Sequence, residues 1–138
     1  MKLKNKIKQT AELTKKQSLV MNLLSRASGP LSAYNILYDL RDHGFRGPTQ
    51  VYRVLEKLLE IGMVHRIESL NAFIACQQKK CDKKNKGTKL FTICEICGSV
   101  QELVNNGLKN ILNNFAKDTK FVVKNSVLEL SGICSKCK

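Results

Sequence analysis

Tryptophan is absent from this 138-residue chain, and aromatic residues make up only 6% of it. A packed core is possible but not large. Acidic residues are scarce: 11 Asp plus Glu stand against 24 Lys plus Arg, a formal charge of +13. That excess is unlike an average soluble enzyme and points to a polyanionic partner, nucleic acid before membrane. Long apolar runs are missing as well. The strongest, residues 19–24, is broken by Asn22 and far too short to span a bilayer. No apolar block of signal-peptide length follows the N-terminal lysines, so a cytoplasmic protein with no membrane partner is expected. No Ser/His/Asp arrangement, phosphate-cradling glycine loop or H-E-x-x-H motif is present. Enzyme chemistry on a small-molecule substrate is therefore not expected.

What the chain does have is six cysteines. Cys94 and Cys97 form one C-x-x-C, Cys134 and Cys137 a second, and Cys76 and Cys81 stand alone. A reducing compartment argues against three disulfides. Each C-x-x-C places two thiolates on one tight turn, and four thiolates complete a closed tetrahedral zinc shell. A redox C-x-x-C would be single and would open a helix in a larger α/β domain. Structural zinc is the better reading, and the segment that carries it is short enough to need such a staple.

Composition shifts near residue 77. Residues 77–89 carry six lysines and no aliphatic side chain, which predicts a solvated basic hinge between a first domain, 1–76, and a second, 90–138. The first begins with a lysine-rich tail including Lys4 and Lys8, either frayed or lying along phosphates. Thr14-x-x-Gln17 reads as a capping box opening a helix that Gly29-Pro30 stops. Ser32 caps a second helix, followed by Gly44. Thr49 caps a third, with Val51, Val54, Leu55, Leu58 and Leu59 inward and Gln50, Tyr52, Arg53, Glu56 and Lys57 outward. Strands over 64–67 and 72–76 around a turn at 69–71 complete the outline of a winged helix-turn-helix, whose third helix presents its polar face to a major groove. The second domain offers strands over 90–94 and 99–104, then a helix with Leu108, Ile111, Leu112 and Phe115 on one face. Strands around 121–124 and 127–131 follow. The expected class is α+β: a winged-helix domain, then a small zinc-stapled unit whose apolar face would pair with a second copy.

Several stretches resemble the ferric uptake regulator family. These are Leu31-Ser32-Ala33-Tyr34, Pro48-Thr49-Gln50-Val51-Tyr52-Arg53-Val54-Leu55, Gly62-Met63-Val64-His65-Arg66-Ile67-Glu68-Ser69, Asn71-Ala72-Phe73-Ile74-Ala75-Cys76 and Cys94-Glu95-Ile96-Cys97-Gly98. Within that family they most resemble the zinc-uptake branch. The resemblance implies a dimeric repressor that binds a palindromic operator when zinc is replete. It implies two Zn2+ per chain: a structural ion on Cys94, Cys97, Cys134 and Cys137, and a regulatory ion on His65, Cys76 and Glu102. The family's usual fourth ligand is a histidine in the following loop. This chain's only histidines are His43 and His65, so Cys81 is the natural replacement, with Asp82 weaker. Thiolate in that shell suits zinc better than manganese or iron. On DNA, Arg53 is expected to read a purine edge. Tyr34, Thr49, Gln50 and Tyr52 would add contacts, and Lys4 and Lys8 would bind phosphates. The competing readings are an iron or peroxide sensor on the same scaffold, a thiol oxidoreductase using a C-x-x-C, and a nucleic-acid binder indifferent to added zinc.

Overall fold

The structure is a computed structural model that describes residues 13–77 and 88–138. Its contacts divide the chain into two compact units, one ending at Ala75 and the other beginning at Cys76.

The first unit opens with helix α1, Lys15–Arg26. Thr14 caps it reciprocally: the Thr14 hydroxyl accepts from Gln17 N (3.2 Å) while Gln17 Oε1 accepts from Thr14 N (3.1 Å). The helix closes at Ala27, before the Gly29-Pro30 pair is reached. Helix α2, Ala33–Leu40, is capped by Ser32, whose hydroxyl accepts from Asn35 N at 3.1 Å. It runs on into a single 3₁₀ turn over Arg41–His43, closed by Gly44 at φ 94°, a left-handed conformation that favours glycine.

Helix α3, Pro48–Glu60, corrects one expectation: Gly47, not Thr49, is its N-cap, with no side-chain cap bond. Pro48 suits the first helical position because its φ is preset and its missing N–H would be unsatisfied there. Thr49 is thereby drawn into the first turn. Strands β1, Val64–Ile67, and β2, Ala72–Ala75, pair antiparallel with His65 opposite Ile74. A 3₁₀ turn and Asn71 at φ 46° reverse the chain between them. β2 stops one residue short of Cys76. Leu31 adds a bridge to Phe73, with mutual backbone bonds of 3.0 and 2.8 Å, so the wing is tied to the start of α2.

The core of this unit is built by Val20, Leu24, Ile36, Leu40, Phe45, Val51, Leu55, Leu58 and Phe73. Three helices and the wing thus share one apolar cluster. Burial of each large side chain contributes about 1.5–3 kcal/mol.

The second unit holds a three-stranded sheet in the order β4-β3-β5. β3 spans Thr88–Cys94 and β4 Val100–Leu103, paired antiparallel. Helix α4, Asn106–Asp118, is capped by Asn105 and carries the chain across to β5, Ser126–Gly132, which runs parallel to β3. A parallel return needs such a crossover. No strand forms over residues 121–124. The N–H groups of Thr119, Lys120 and Phe121 satisfy the last carbonyls of α4 instead, with Lys120 at φ 56°. β-branched composition favoured a strand there, but the first of these residues, Phe121, gives its N–H to the Ala116 carbonyl at the helix exit. Phe91 and Ile93 of β3 are buried, whereas Ile111 and Phe115 of α4 are 53% and 71% exposed.

Candidate functional site

The parallel register of β3 and β5 sets Cys94 opposite Gly132, two residues before Cys134. Each C-x-x-C then turns tightly. Gly98 N donates to Cys94 O at 2.9 Å with Gly98 at φ 73°, and Cys137 N donates to Cys134 O at 3.1 Å. The two knuckles bring the sulfurs of Cys94, Cys97, Cys134 and Cys137 within 4.8 Å of one another, with Cys97 and Cys134 at 3.7 Å. Tetrahedral Zn–S bonds of about 2.3 Å require sulfur separations of about 3.8 Å. The Cys97–Cys134 separation matches that value, and four thiolates would leave no open coordination position.

Local donors prepare the cluster for charge. The backbone N–H of Cys97, followed by that of Cys134, lowers Cys94 to about 6. The Ser99 hydroxyl, with Cys97 Sγ at 3.1 Å, is the leading cause that lowers Cys97, followed by Ser99's own N–H. Cys137 is pushed up to about 12, first by the hydrogen-bonded Cys134 sulfur and then by desolvation. Neighbouring sulfurs compete for the same negative charge, and a bound cation removes that competition. Ser99 was not singled out from the sequence; its only signal there is its place two residues after Cys97.

A second set of donors lies where the second unit begins. Cys76 and Glu102 have ligand atoms within 4.8 Å of each other. Cys76 is disulfide-bonded in this structure. A cysteine placed as a soft ligand is also placed for oxidation. Glu102 Oε2 accepts from the backbone N–H of Gln77 at 3.1 Å. The Gln77 carboxamide in turn bonds the β4 backbone at both ends: Oε1 accepts from Glu102 N at 3.0 Å, and Nε2 donates to the Val100 carbonyl at 3.2 Å. Nothing in the sequence pattern marks Gln77 except that it follows Cys76. His65 belongs to the first unit, buried at 5% exposure on β1. Cys81, Asp82, Lys4 and Lys8 lie outside the described residues.

On α3, Thr49 and Arg53 are exposed, and Tyr34 at the start of α2 is 66% exposed. Gln50 is half-buried, and its Oε1 accepts from Arg46 N at 2.7 Å. One end of its carboxamide is committed to the turn before the helix. Tyr52 does not stand clear of the core: its ring meets Phe73 edge-on.

These two units define a winged-helix protein carrying a thiolate metal centre. The profile of the Ferric uptake regulator family matches residues 8–131, and the chain belongs to that family. It is 34% identical over 130 residues to the zinc uptake regulation protein of Escherichia coli (strain K12), covering 94% of this chain and 74% of that one. The ferric uptake regulation protein of Bacillus subtilis (strain 168) is 27% identical over 126 residues, covering 88% and 81%. Among solved structures, a zinc uptake regulator complexed with zinc and DNA is 34% identical with a TM-score of 0.83, covering 91% of this chain and 83% of that one.

Proposed function

We propose that this protein is a zinc-responsive, sequence-specific transcriptional repressor of the cytoplasm. It binds palindromic operator DNA as a homodimer when a second, regulatory zinc site is filled. The observation that carries this reading is the likeness to a regulator solved with zinc and DNA, at 34% identity over 91% of the chain. Among the described residues, no helix is long and apolar enough to cross a membrane.

Two Zn2+ per chain are assigned. Cys94, Cys97, Cys134 and Cys137 would hold the structural ion, supported by sulfur spacing that matches a tetrahedral thiolate shell. His65, Cys76 and Glu102 would hold the regulatory ion, with Cys81 as the fourth ligand. The β1–β2 register supports the pairing of His65 with Cys76, because His65 faces Ile74, two residues before that cysteine. The proximity and shared Gln77 contact support Glu102 beside Cys76. Cys76 must be reduced to serve, so the site is competent only under reducing conditions.

Residues 1–76 form the DNA-binding domain in this reading, 77–89 the hinge and 90–138 the dimerisation domain. Exposed Leu103, Ile111, Phe115, Val127 and Leu130 support self-association of the second domain, since that much apolar surface on one small unit calls for a cover. The regulatory ion would supply a crosslink between the wing and the second domain. The residues that hold it would then set the separation of two α3 helices, which must match half-sites about 34 Å apart. By linkage, operator DNA tightens zinc by the factor that zinc tightens DNA. Thr49, Arg53, Tyr52, Gln50 and Tyr34 would face the groove, and Lys4 and Lys8 the phosphates.

The test is a gel shift against a palindromic operator across buffered free zinc, under reductant, with metal content measured in parallel. Two zinc per chain in the DNA-bound form supports the proposal. Iron in the second site would favour an iron sensor, and operator affinity blind to free zinc would end the zinc-responsive reading. His65→Ala and Cys76→Ser should keep one zinc per chain and lose the zinc-dependent step.

A further inference from the structure

β4 lies at one edge of its sheet, so one side of its backbone is left for another partner. The partner is a side chain. The Gln77 carboxamide occupies the Val100 carbonyl and the Glu102 N–H together, as a neighbouring strand's peptide groups would. The same residue's backbone N–H is given to the Glu102 carboxylate, and that N–H belongs to the peptide bond joining Cys76 to Gln77. Three bonds of 3.0–3.2 Å therefore fasten the chain just beyond Cys76 to the strand that carries Glu102.

We infer that Gln77 is a positioning residue for the regulatory metal site, holding the Cys76 sulfur and the Glu102 carboxylate at one point before an ion arrives. This inference rests on the reading of Cys76 and Glu102 as regulatory ligands. Glu102 reaches its carboxylate through rotatable side-chain bonds, and Cys76 joins Gln77 through a single peptide bond. An N–H aimed at a carboxylate is a charge-assisted bond, stronger than a neutral one. It fixes the direction of Oε2, while the carboxamide fixes the backbone from which Glu102 projects. Groups that orient metal ligands in this way change metal affinity by ~10–100-fold when removed. Among the described residues, the hydrogen bonds of Gln77 go to Val100 and Glu102 and not to the four cysteines, so its loss should leave that ion alone.

The experiment uses the full chain under reductant and compares wild type with Gln77→Ala and Gln77→Met, the latter keeping the side chain's length without its polar atoms. Zinc uptake is followed by competition with a chromophoric chelator, operator binding by gel shift, and exchange of the Glu102 amide by mass spectrometry without regulatory zinc. Both variants should weaken the second zinc by ~10–100-fold and shift the zinc midpoint of operator binding by a similar factor. They should also speed Glu102 amide exchange, with the first zinc and the unfolding midpoint of the one-zinc protein unchanged. Loss of the first zinc in both variants would make Gln77 a general structural residue and overturn the inference. Unchanged second-site affinity in Gln77→Met would also overturn it. Cys76→Ser and Glu102→Gln separate the two claims. If they abolish the zinc response while the Gln77 variants do not, only the inference fails. If they leave the response intact, the regulatory site itself is misassigned, and the inference falls with it.

Discussion

Tyr52 of the third helix meets Phe73 of the wing edge to face, ring centroids 6.5 Å apart and planes at 72°. The expected DNA-reading helix and the wing are thus joined through an aromatic pair, and Tyr52 serves packing whatever its hydroxyl does on DNA. Truncation to Tyr52→Ala should cost about 2 kcal/mol, less than the loss of a fully buried aromatic because the ring is only half-buried. Tyr52→Phe should keep that stability, so any fall in operator affinity would belong to the hydroxyl. Urea unfolding of both variants checks this. Equal stability of Tyr52→Ala and wild type would mean that the pair contributes nothing.

Arg53 lies one residue further along α3 and is exposed, which leaves its guanidinium available for a purine edge. Arg53→Ala should reduce the preference for operator over random DNA by roughly 5–150-fold, the equivalent of about 1–3 kcal/mol for a bidentate contact. Gel shifts on both DNAs at one salt concentration measure it. An equal loss on the two would make Arg53 a phosphate contact, and a smaller salt dependence should accompany that outcome.

The parts of the fold that were legible are those in which a side chain bonds its own neighbourhood. Thr14 and Ser32 announced their helices because a cap satisfies donors only two or three residues away. Thr49 misled because the same residue type sat beside Pro48, and proline at the first helical position moved the cap back to Gly47. Residues 121–124 misled because β-branching is a weak preference, and the open end of α4 took the N–H of Phe121. The four-cysteine cluster was legible from spacing alone, since each pair closes its own turn. Phe45, fully buried in the turn before α3, and Gln77, bonded to a strand 23 and 25 residues away, have no local pattern to betray them. Side-chain contacts at that separation exist only once the sheet does.

Removing one thiol from the four-cysteine centre should divide the protein's behaviour along its two units. Cys137→Ser is expected to lower zinc from two to one per chain and to loosen the second unit, because structural zinc binding is folding energy in so small a unit. The proposed dimer should dissociate with it. The first unit has its own apolar cluster, from Val20 to Phe73, and should keep its helical circular dichroism. Metal analysis, size-exclusion chromatography and circular dichroism report the three effects. A dimer that retains both ions would place the structural metal elsewhere.

The sulfurs of the same centre should also differ in chemistry once zinc is stripped. Cys97 is exposed and its pKa is lowered, chiefly by the Ser99 hydroxyl, so more of it is thiolate at neutral pH than of an ordinary cysteine. Cys137, pushed up to about 12, stays protonated through the same range. Iodoacetamide labelling followed by peptide mass mapping should therefore find Cys97 before Cys137. A difference in access alone would be constant with pH, whereas a difference in ionisation changes with it. The Cys97 rate should level off at a lower pH than that of an ordinary thiol, while the Cys137 rate is still climbing. Zinc should abolish labelling at both positions, and acid should restore the free thiols by protonating the ligands, so occupancy falls as pH falls. Parallel pH profiles for Cys97 and Cys137 would show that the knuckles do not distinguish their sulfurs, and that Ser99 has no hold on the Cys97 thiolate.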